Sequence, residues 1–316
     1  EEKIDTLIEK FNKWGLYANV IGEVIENNEV IISHKSKIVA QIPTSALSDE
    51  TPVNVHNVIK EPPNYLLKKW EWKEEELPVI SENKIFSLKD QQKYSFSEII
   101  LKLLSNPSIA SKSWVYRQYD SQVQSNTVFK PGEADAALIR LRRQDEKNKN
   151  NEFSGVAASV DCNSRWVLLD PYRGSIAAVA ESARNVSCVG AQPIAITNNL
   201  NFSSPETEIG YWQLSSACDG ISKACIALET PVTGGNVSLY NESKNQNNQV
   251  TPINPTPVIG MVGTIKNVDK AISSGWKNIN DQIWIIGSNA SESSIAASSY
   301  LEYFHDLVTG RPPKIH

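Results

Sequence analysis

Two adjacent glycines, Gly234 and Gly235, stand between an amphipathic helical run over 212–228 and an apolar strand run over 257–262. Without a Cβ, both can take φ > 0 and let the backbone approach a bulky anion closely. The stretch around them, TPVTGGNVSLYNES over 230–243, then presents Asn236 and Ser238, spaced to face one way in an extended segment. Paired glycines followed by an amide and a hydroxyl suit a phosphate, with or without a metal ion between. The pattern is neither a Walker loop nor Gly-x-Gly-x-x-Gly. By itself it also describes an ordinary turn.

With 316 residues the chain has room for about two domains at roughly 150 residues each. Its 40% hydrophobic and 21% charged residues are those of an ordinary globular protein. A net charge of −5 provides no global field for nucleic acid. The one basic cluster, Arg140, Arg142, Arg143, Lys147 and Lys149, runs into the Asn-rich residues 148–151 without an aromatic platform, so nucleic-acid binding is not expected. No apolar run approaches the ~20 residues of a membrane span, and the first residues do not form a signal peptide. These features lead us to expect a cytoplasmic protein with no membrane contact.

Cys162, Cys188, Cys218 and Cys225 lack zinc spacing, and Cys218 and Cys225, seven apart, are expected on one buried helix face. Sequons at Asn185, Asn201, Asn236, Asn241 and Asn289 are chance matches in such a protein.

In chain order, residues 3–13 read as a short amphipathic helix. Strands are expected over 17–25, 29–34 and 37–42, with a turn at Glu26-Asn27-Asn28. Residues 51–93, rich in proline and carrying the acidic run Glu74-Glu75-Glu76, read as a linker that Trp70 and Trp72 could pin to a neighbouring domain. Helices follow over 97–104, 174–189 and 212–228, and strands over 136–141, 155–161, 165–169 and 194–197. Asn198, Asn199 and Asn201 come directly behind the last of these strands, either tying down a loop or meeting a ligand. Residues 281–287 open what reads as a new domain, with a helix over 294–307.

None of the four histidines, His34, His56, His305 and His316, lies near the glycine pair in sequence, and no His/Cys cluster has metal spacing. The remaining polar set, Asp120, Asp161, Asp170, Asn198, Asn236 and Glu242, suits ATP and Mg²⁺ handling, in which positioning and charge neutralisation carry most of the work.

Seven motifs then occur in order. The first four are Tyr119-Asp120-x-Gln122-Val123-Gln124-x-Asn126-Thr127, Asp161-Cys162-Asn163-Ser164-Arg165, Leu169-Asp170-Pro171, and Ala180 with Ala183-Arg184-Asn185. The last three are Thr197-Asn198-Asn199-Leu200-Asn201-Phe202, the Thr230–Glu242 run with Gly234-Gly235-Asn236-Val237-Ser238, and Pro255-Thr256-Pro257-Val258-Ile259-Gly260. Over nearly the whole chain these motifs closely resemble the second half of phosphoribosylformylglycinamidine synthase, in the large-subunit form of the small multi-subunit type.

The resemblance implies a mixed α+β and α/β fold of aminoimidazole-ribotide-synthetase-like domains. The parent would be internally duplicated, with an ATP site where the two N-terminal domains meet, and this chain would be a partial one. Residues 1–56 would be the tail of the first half's C-terminal domain, 57–93 a linker, 94–266 the second half's N-terminal domain and 267–316 the start of its C-terminal domain. The family's ATP contacts fall on Asn198 and Gly235, its Mg²⁺ ligand on Asn236 and a substrate contact on Ser238. Many relatives have Asp at position 198, and the amide here brings no charge.

The family's catalytic histidines would lie in the absent first half, so the chain alone is expected to be inactive. The implied reaction is an ATP-dependent ligation in purine biosynthesis. Formylglycinamide ribonucleotide is activated as an iminophosphate and attacked by ammonia from a separate glutaminase subunit, alongside a small adaptor subunit. One alternative is that this half clamps a structural nucleotide and works as a scaffold for those subunits. The sister aminoimidazole ribotide synthetase is disfavoured by the pairing of Asn-Leu-Asn-Phe with Gly-Gly-Asn-Val-Ser.

Overall fold

A computed structural model describes residues 3–53, 55, 57–59, 61–81, 83–142, 153–287 and 295–315. Arg143, Lys147, Lys149, residues 148–151, His56, His316, Asn289 and Ser294 lie outside the described residues. The chain forms two units, Glu1–Val55 and His56–His316. Among the described residues no helix is long and apolar enough to cross a membrane.

The first unit holds helix α1 (Ile4–Asn12) and the antiparallel strands β1 (Glu29–His34) and β2 (Lys37–Pro43). The hairpin turns at Lys35 and Ser36, whose φ of 48° and 63° match the twist of a two-residue connection. The turn expected at 26–28 and the strand expected over 17–25 are therefore corrected. Residues 16–25 pair with no strand among the described residues, because the two-residue turn already gives β1 its partner. No residue of α1 is buried, as expected of a helix and hairpin too small to build a core.

In the second unit the proline-rich stretch is more ordered than its composition indicates. It carries helix α2 (Asn64–Trp70) and the hairpin β3 (Lys84–Phe86) and β4 (Lys93–Ser95). Leu66 is fully buried, and the Trp70 indole N–H donates to the Leu169 carbonyl at 2.7 Å, which supplies the pinning expected of this residue. Helix α3 (Phe96–Ser105) starts from a capping box, Ser95 accepting from the Glu98 N–H while Glu98 accepts from the Ser95 N–H. Helix α4 (Ser113–Tyr116) is a single turn.

Five strands form the main sheet, β5 (Ala137–Arg140), β6 (Gly155–Asp161), β7 (Gln192–Asn201), β8 (Val232–Ser238) and β11 (Thr256–Ile265), in the order β5-β6-β11-β7-β8. All neighbours are antiparallel except β7 and β8, which are parallel. Helices α6 (Pro171–Cys188) and α7 (Glu208–Leu228) pack on one face, where Ile259 and Met261 of β11 meet Val179, Val186 and Ile221 in the core. The opposite face leaves Ile139 and Val160 exposed. A small hairpin, β9 (Glu242–Lys244) with β10 (Val250–Pro252), follows β8.

Residues 165–169, expected as a strand, form helix α5 (Ser164–Leu169). A short apolar run fits either period, and two caps decide it. The Asn163 side chain accepts from the Trp166 N–H, and seven residues on Asp170 accepts from the Arg173 N–H to start α6, with Pro171 in its first turn.

Residues 281–287 carry no regular strand, and Ile283, Trp284, Ile285 and Ile286 are exposed. The helix expected over 294–307 is narrower, α8 (Ser299–His305). It is held by Arg165, which reaches Ala297 O, Glu302 and Ser299, and by the Ser87 hydroxyl donating to Phe304 O at 2.6 Å. His305 is buried in this helix and burial lowers its pKa; its Nδ1 accepts from the Leu88 N–H and its Nε2 meets the Tyr300 hydroxyl.

Candidate functional site

The glycine pair lies inside strand β8, on the outer edge of the sheet, and neither glycine has a positive φ. The positive φ open to both glycines is thus not used, and the segment is an extended edge strand. What excludes a side chain at 235 is space. A Cβ there would lie 2.0 Å from Asn198 Oδ1 and 2.7 Å from Asn198 O. A Cβ at 234 would meet nothing within 4 Å.

The three asparagines are likewise not a loop behind a strand. Strand β7 continues through them, so that Asn198 pairs with Ile259 and Gly235, Asn199 with Val258 and Asn236, and Asn201 with Thr256 and Ser238. The Asn201 amide donates to Asn199 O and Thr256 O, each at 3.1 Å. The Asn236 amide donates to Asn199 Oδ1 at 3.1 Å. Asn199 was no candidate from sequence beyond its place in the cluster, yet it fixes which way the Asn236 amide turns.

The sheet's two-residue alternation divides the four predicted residues. Asn198 sits over Gly235 on the helix-covered face, where it lines a groove of about 510 Å³ between α7 and the β8 edge, with Cys218, Ile221, Cys225 and Val232. Asn236 and Ser238 lie on the open face, where Asn236 bonds Asn199 and the Ser238 hydroxyl lies 3.3 Å from Asn241 Oδ1. The structure therefore brings all four to one edge, on opposite faces of it.

The wider acidic set is not gathered there. Asp161 accepts from Ser182 and Asn185 of α6, and Asp170 caps α6 and meets Arg311. Only Glu242 adjoins the edge, accepting from the Ser204 N–H at 2.9 Å. Beside it Glu206 accepts from the Tyr240 hydroxyl, a bond that raises the tyrosine's pKa. Among the described residues no group of three or more His, Cys, Asp or Glu could hold a metal.

A hard divalent cation still fits the edge in part. Asn236 Oδ1 accepts nothing among the described residues and offers one oxygen, leaving the other ligands to phosphate and water. The expected shared cysteine face is half right. Cys218 and Cys225 both line the groove, but only Cys225 is buried, and desolvation raises the pKa of both thiols.

A mixed, mostly antiparallel sheet with two long helices on one face, an open second face and a polar edge defines the domain class. Residues 133–265 match the family "AIR synthase related protein, N-terminal domain". The whole chain is 93% identical over 316 residues to phosphoribosylformylglycinamidine synthase subunit PurL of Prochlorococcus marinus subsp. pastoris, covering 41% of that relative. It is 55% identical over 319 residues to the corresponding subunit of P. marinus strain NATL1A, covering 40% of it. Among solved structures, Thermotoga maritima PurL complexed with ATP matches 85% of this chain and 37% of its own at 26% identity and a TM-score of 0.57. PurLQS from the same organism matches with a TM-score of 0.56. The chain is similar over its whole length to phosphoribosylformylglycinamidine synthase subunits and spans about two-fifths of the length of the curated relatives it matches.

Proposed function

We propose that this chain furnishes one wall of the nucleotide and substrate site of an ATP-dependent ligase that converts formylglycinamide ribonucleotide to its amidine in purine biosynthesis. The observation that carries this is the β7–β8 edge, where a bare glycine backbone under Asn198 backs onto the Asn199–Asn236 amide pair. A solved relative with the same fold is complexed with ATP, and another with FGAR.

In this reading Asn198 and the Gly235 backbone contact the nucleotide, Ser238 contacts the ribonucleotide substrate, and Asn236 Oδ1 is one ligand of Mg²⁺. The cation, when bound, offsets phosphate charge. The Asn199 carbonyl oxygen positions Asn236 by holding its amide NH₂. ATP would phosphorylate the glycinamide carbonyl oxygen to an iminophosphate, and ammonia would then add at that carbon and expel phosphate, leaving the formyl group in place. A glutaminase subunit would supply the ammonia and a small adaptor subunit would join the assembly, in the cytoplasm. Residues 94–266 would form the ATP-site domain, between a first-half tail at 1–56 with its linker at 57–93 and a C-terminal domain begun at 267–316.

Asn236→Ala in the assembled synthase is expected to lower Mg·ATP-dependent turnover by about 10–100-fold, the scale seen when a metal's supporting shell is lost, with the melting temperature unchanged. Unchanged turnover would instead favour a structural clamp, because a nucleotide held only as scaffold does not need that ligand. The chain by itself is expected to form no amidine product above an enzyme-free blank, measured with ATP, Mg²⁺ and ammonia. Product above the blank would refute the shared site.

A further inference from the structure

Strand β8 ends at Ser238, and the chain turns back at once through Leu239 and Tyr240 to Asn241. Tyr240 makes that turn with a φ of 60°, a left-handed backbone that a bulky residue adopts only where its surroundings hold it. The holding groups come from the stretch behind β7. The Tyr240 N–H donates to Ser203 O at 3.3 Å and its hydroxyl to Glu206 at 3.0 Å, while Glu242 accepts from the Ser204 N–H at 2.9 Å. The Asn241 N–H donates to Phe202 O at 3.1 Å, and Phe202 is buried. The turn thereby brings the Asn241 side chain back against Ser238.

There the amide is fixed by more than one bond. Nδ2 donates to Ser238 O at 2.7 Å and to Phe202 O at 3.1 Å, which settles which end of the amide is nitrogen. The same nitrogen stands 3.1 Å from Ser238 Oγ, and Oδ1 lies 3.3 Å from that hydroxyl. An amide so held can take the serine's proton or donate to its oxygen, and either contact restrains a hydroxyl that otherwise rotates freely. Resting on the reading of Ser238 as a substrate contact, we infer that Asn241 is a positioning residue for it. Asn241 holds the Ser238 side chain on the open face, so that formylglycinamide ribonucleotide meets a hydroxyl already in place, without the cost of ordering it on binding. Asn236, two residues earlier, is held separately by Asn199. Loss of Asn241 therefore affects the ribonucleotide and spares Mg·ATP.

Steady-state kinetics of the assembled synthase separate this role from a merely structural one. Ser238→Ala and Asn241→Ala are each expected to raise KM for formylglycinamide ribonucleotide by about 3–10-fold, the scale of one net hydrogen bond. Both kcat and KM for Mg·ATP are expected to stay within about twofold of the unaltered protein, as when binding alone is lost. The double variant is expected to match the single ones rather than multiply them, because both remove the same contact.

If Asn241→Ala leaves the ribonucleotide KM unchanged while Ser238→Ala raises it, the positioning role is overturned and the substrate reading of Ser238 stands. A multiplied effect in the double variant also overturns it, as does a KM for Mg·ATP that rises together with that for the ribonucleotide, since a loosened turn disturbs the whole edge. If Ser238→Ala leaves the ribonucleotide KM unchanged, the substrate reading falls and the positioning role with it. Should Asn241→Ala fail to assemble, Asn241→Asp enters the same cycle under the same criteria, because it keeps the size of the side chain and loses every bond that Nδ2 donates.

Discussion

Gly235→Ala is expected to destabilise the edge of the sheet and to weaken nucleotide binding, while Gly234→Ala, one residue earlier on the same strand, does neither. The two positions share a backbone conformation, so the contrast isolates space from chain flexibility. At 235 the new methyl would lie 2.0 Å from a side-chain oxygen and 2.7 Å from a carbonyl oxygen of Asn198. The side chain could swing away, but the carbonyl belongs to β7 and moves only if the parallel β7–β8 pairing opens. Overpacking of this kind costs about 1–3 kcal/mol, or roughly 2–12 °C in melting temperature for a unit of this size.

At 234 the methyl enters open space, and the change should stay within about 0.5 kcal/mol. The functional effect at 235 exceeds the structural one, because displacing Asn198 removes the only amide lining the groove among the described residues. Thermal unfolding and a Mg·ATP titration on both variants check this. Equal behaviour of the two would show that Asn198 does not lie over Gly235.

How far the sequence led depends on which signals were local. Strand β6 was legible residue for residue over 155–161, and α7 over most of its length, because one-sided burial imposes a period that survives in the residue types. Residues 165–169 misled because five residues sample less than two helical turns, and the deciding caps, Asn163 and Asp170, resemble loop residues. The asparagines at 198, 199 and 201 misled for the opposite reason. Polar residues argue against a buried strand, yet this one lies next to an edge and its amides are used along and across the sheet.

The roles of the candidate residues came from resemblance, and the residues fell on one edge. Their division between two faces follows from the two-residue alternation of Asn198 with Asn199 and of Gly235 with Asn236, and the sequence contained it once those residues were known to be extended. The groove was less legible, since Cys218 and Cys225 mark a shared helix face without saying that only one of them is covered.

Asp170→Ala is expected to be the most damaging single substitution away from that edge. Asp170 is 3% exposed, and its carboxylate serves two segments at once, the start of α6 and the stretch around Arg311. Oδ1 accepts from the Arg173 N–H at 2.9 Å and caps α6, while Oδ2 accepts from Arg311 Nε at 2.8 Å and lies 3.7 Å from Arg173 Nε. Arg311 in turn stacks over the Trp70 ring at 4.0 Å, and Trp70 is tied to Leu169.

Loss of the cap costs about 1 kcal/mol. Removing one partner of a buried ion pair costs about 3–5 kcal/mol, because the other charge is stranded. Here that second share falls toward its lower end, since the Arg311 side chain is 40% exposed and water screens it. Arg173 feels the loss more. Burial already lowers its pKa and Arg311 repels it, and Asp170 is the group that offsets both. A total near 4 kcal/mol corresponds to roughly 8–16 °C in melting temperature at 2–4 °C per kcal/mol.

Asp170→Asn separates the two contributions. Asparagine caps a helix about as well as aspartate, so it should recover the cap and leave the charge effect alone. If Asp170→Asn melts with the unaltered protein and only Asp170→Ala is destabilised, the carboxylate acts as a cap, and the arginines that converge on it contribute nothing to holding residues 308–312 against α2 and α6.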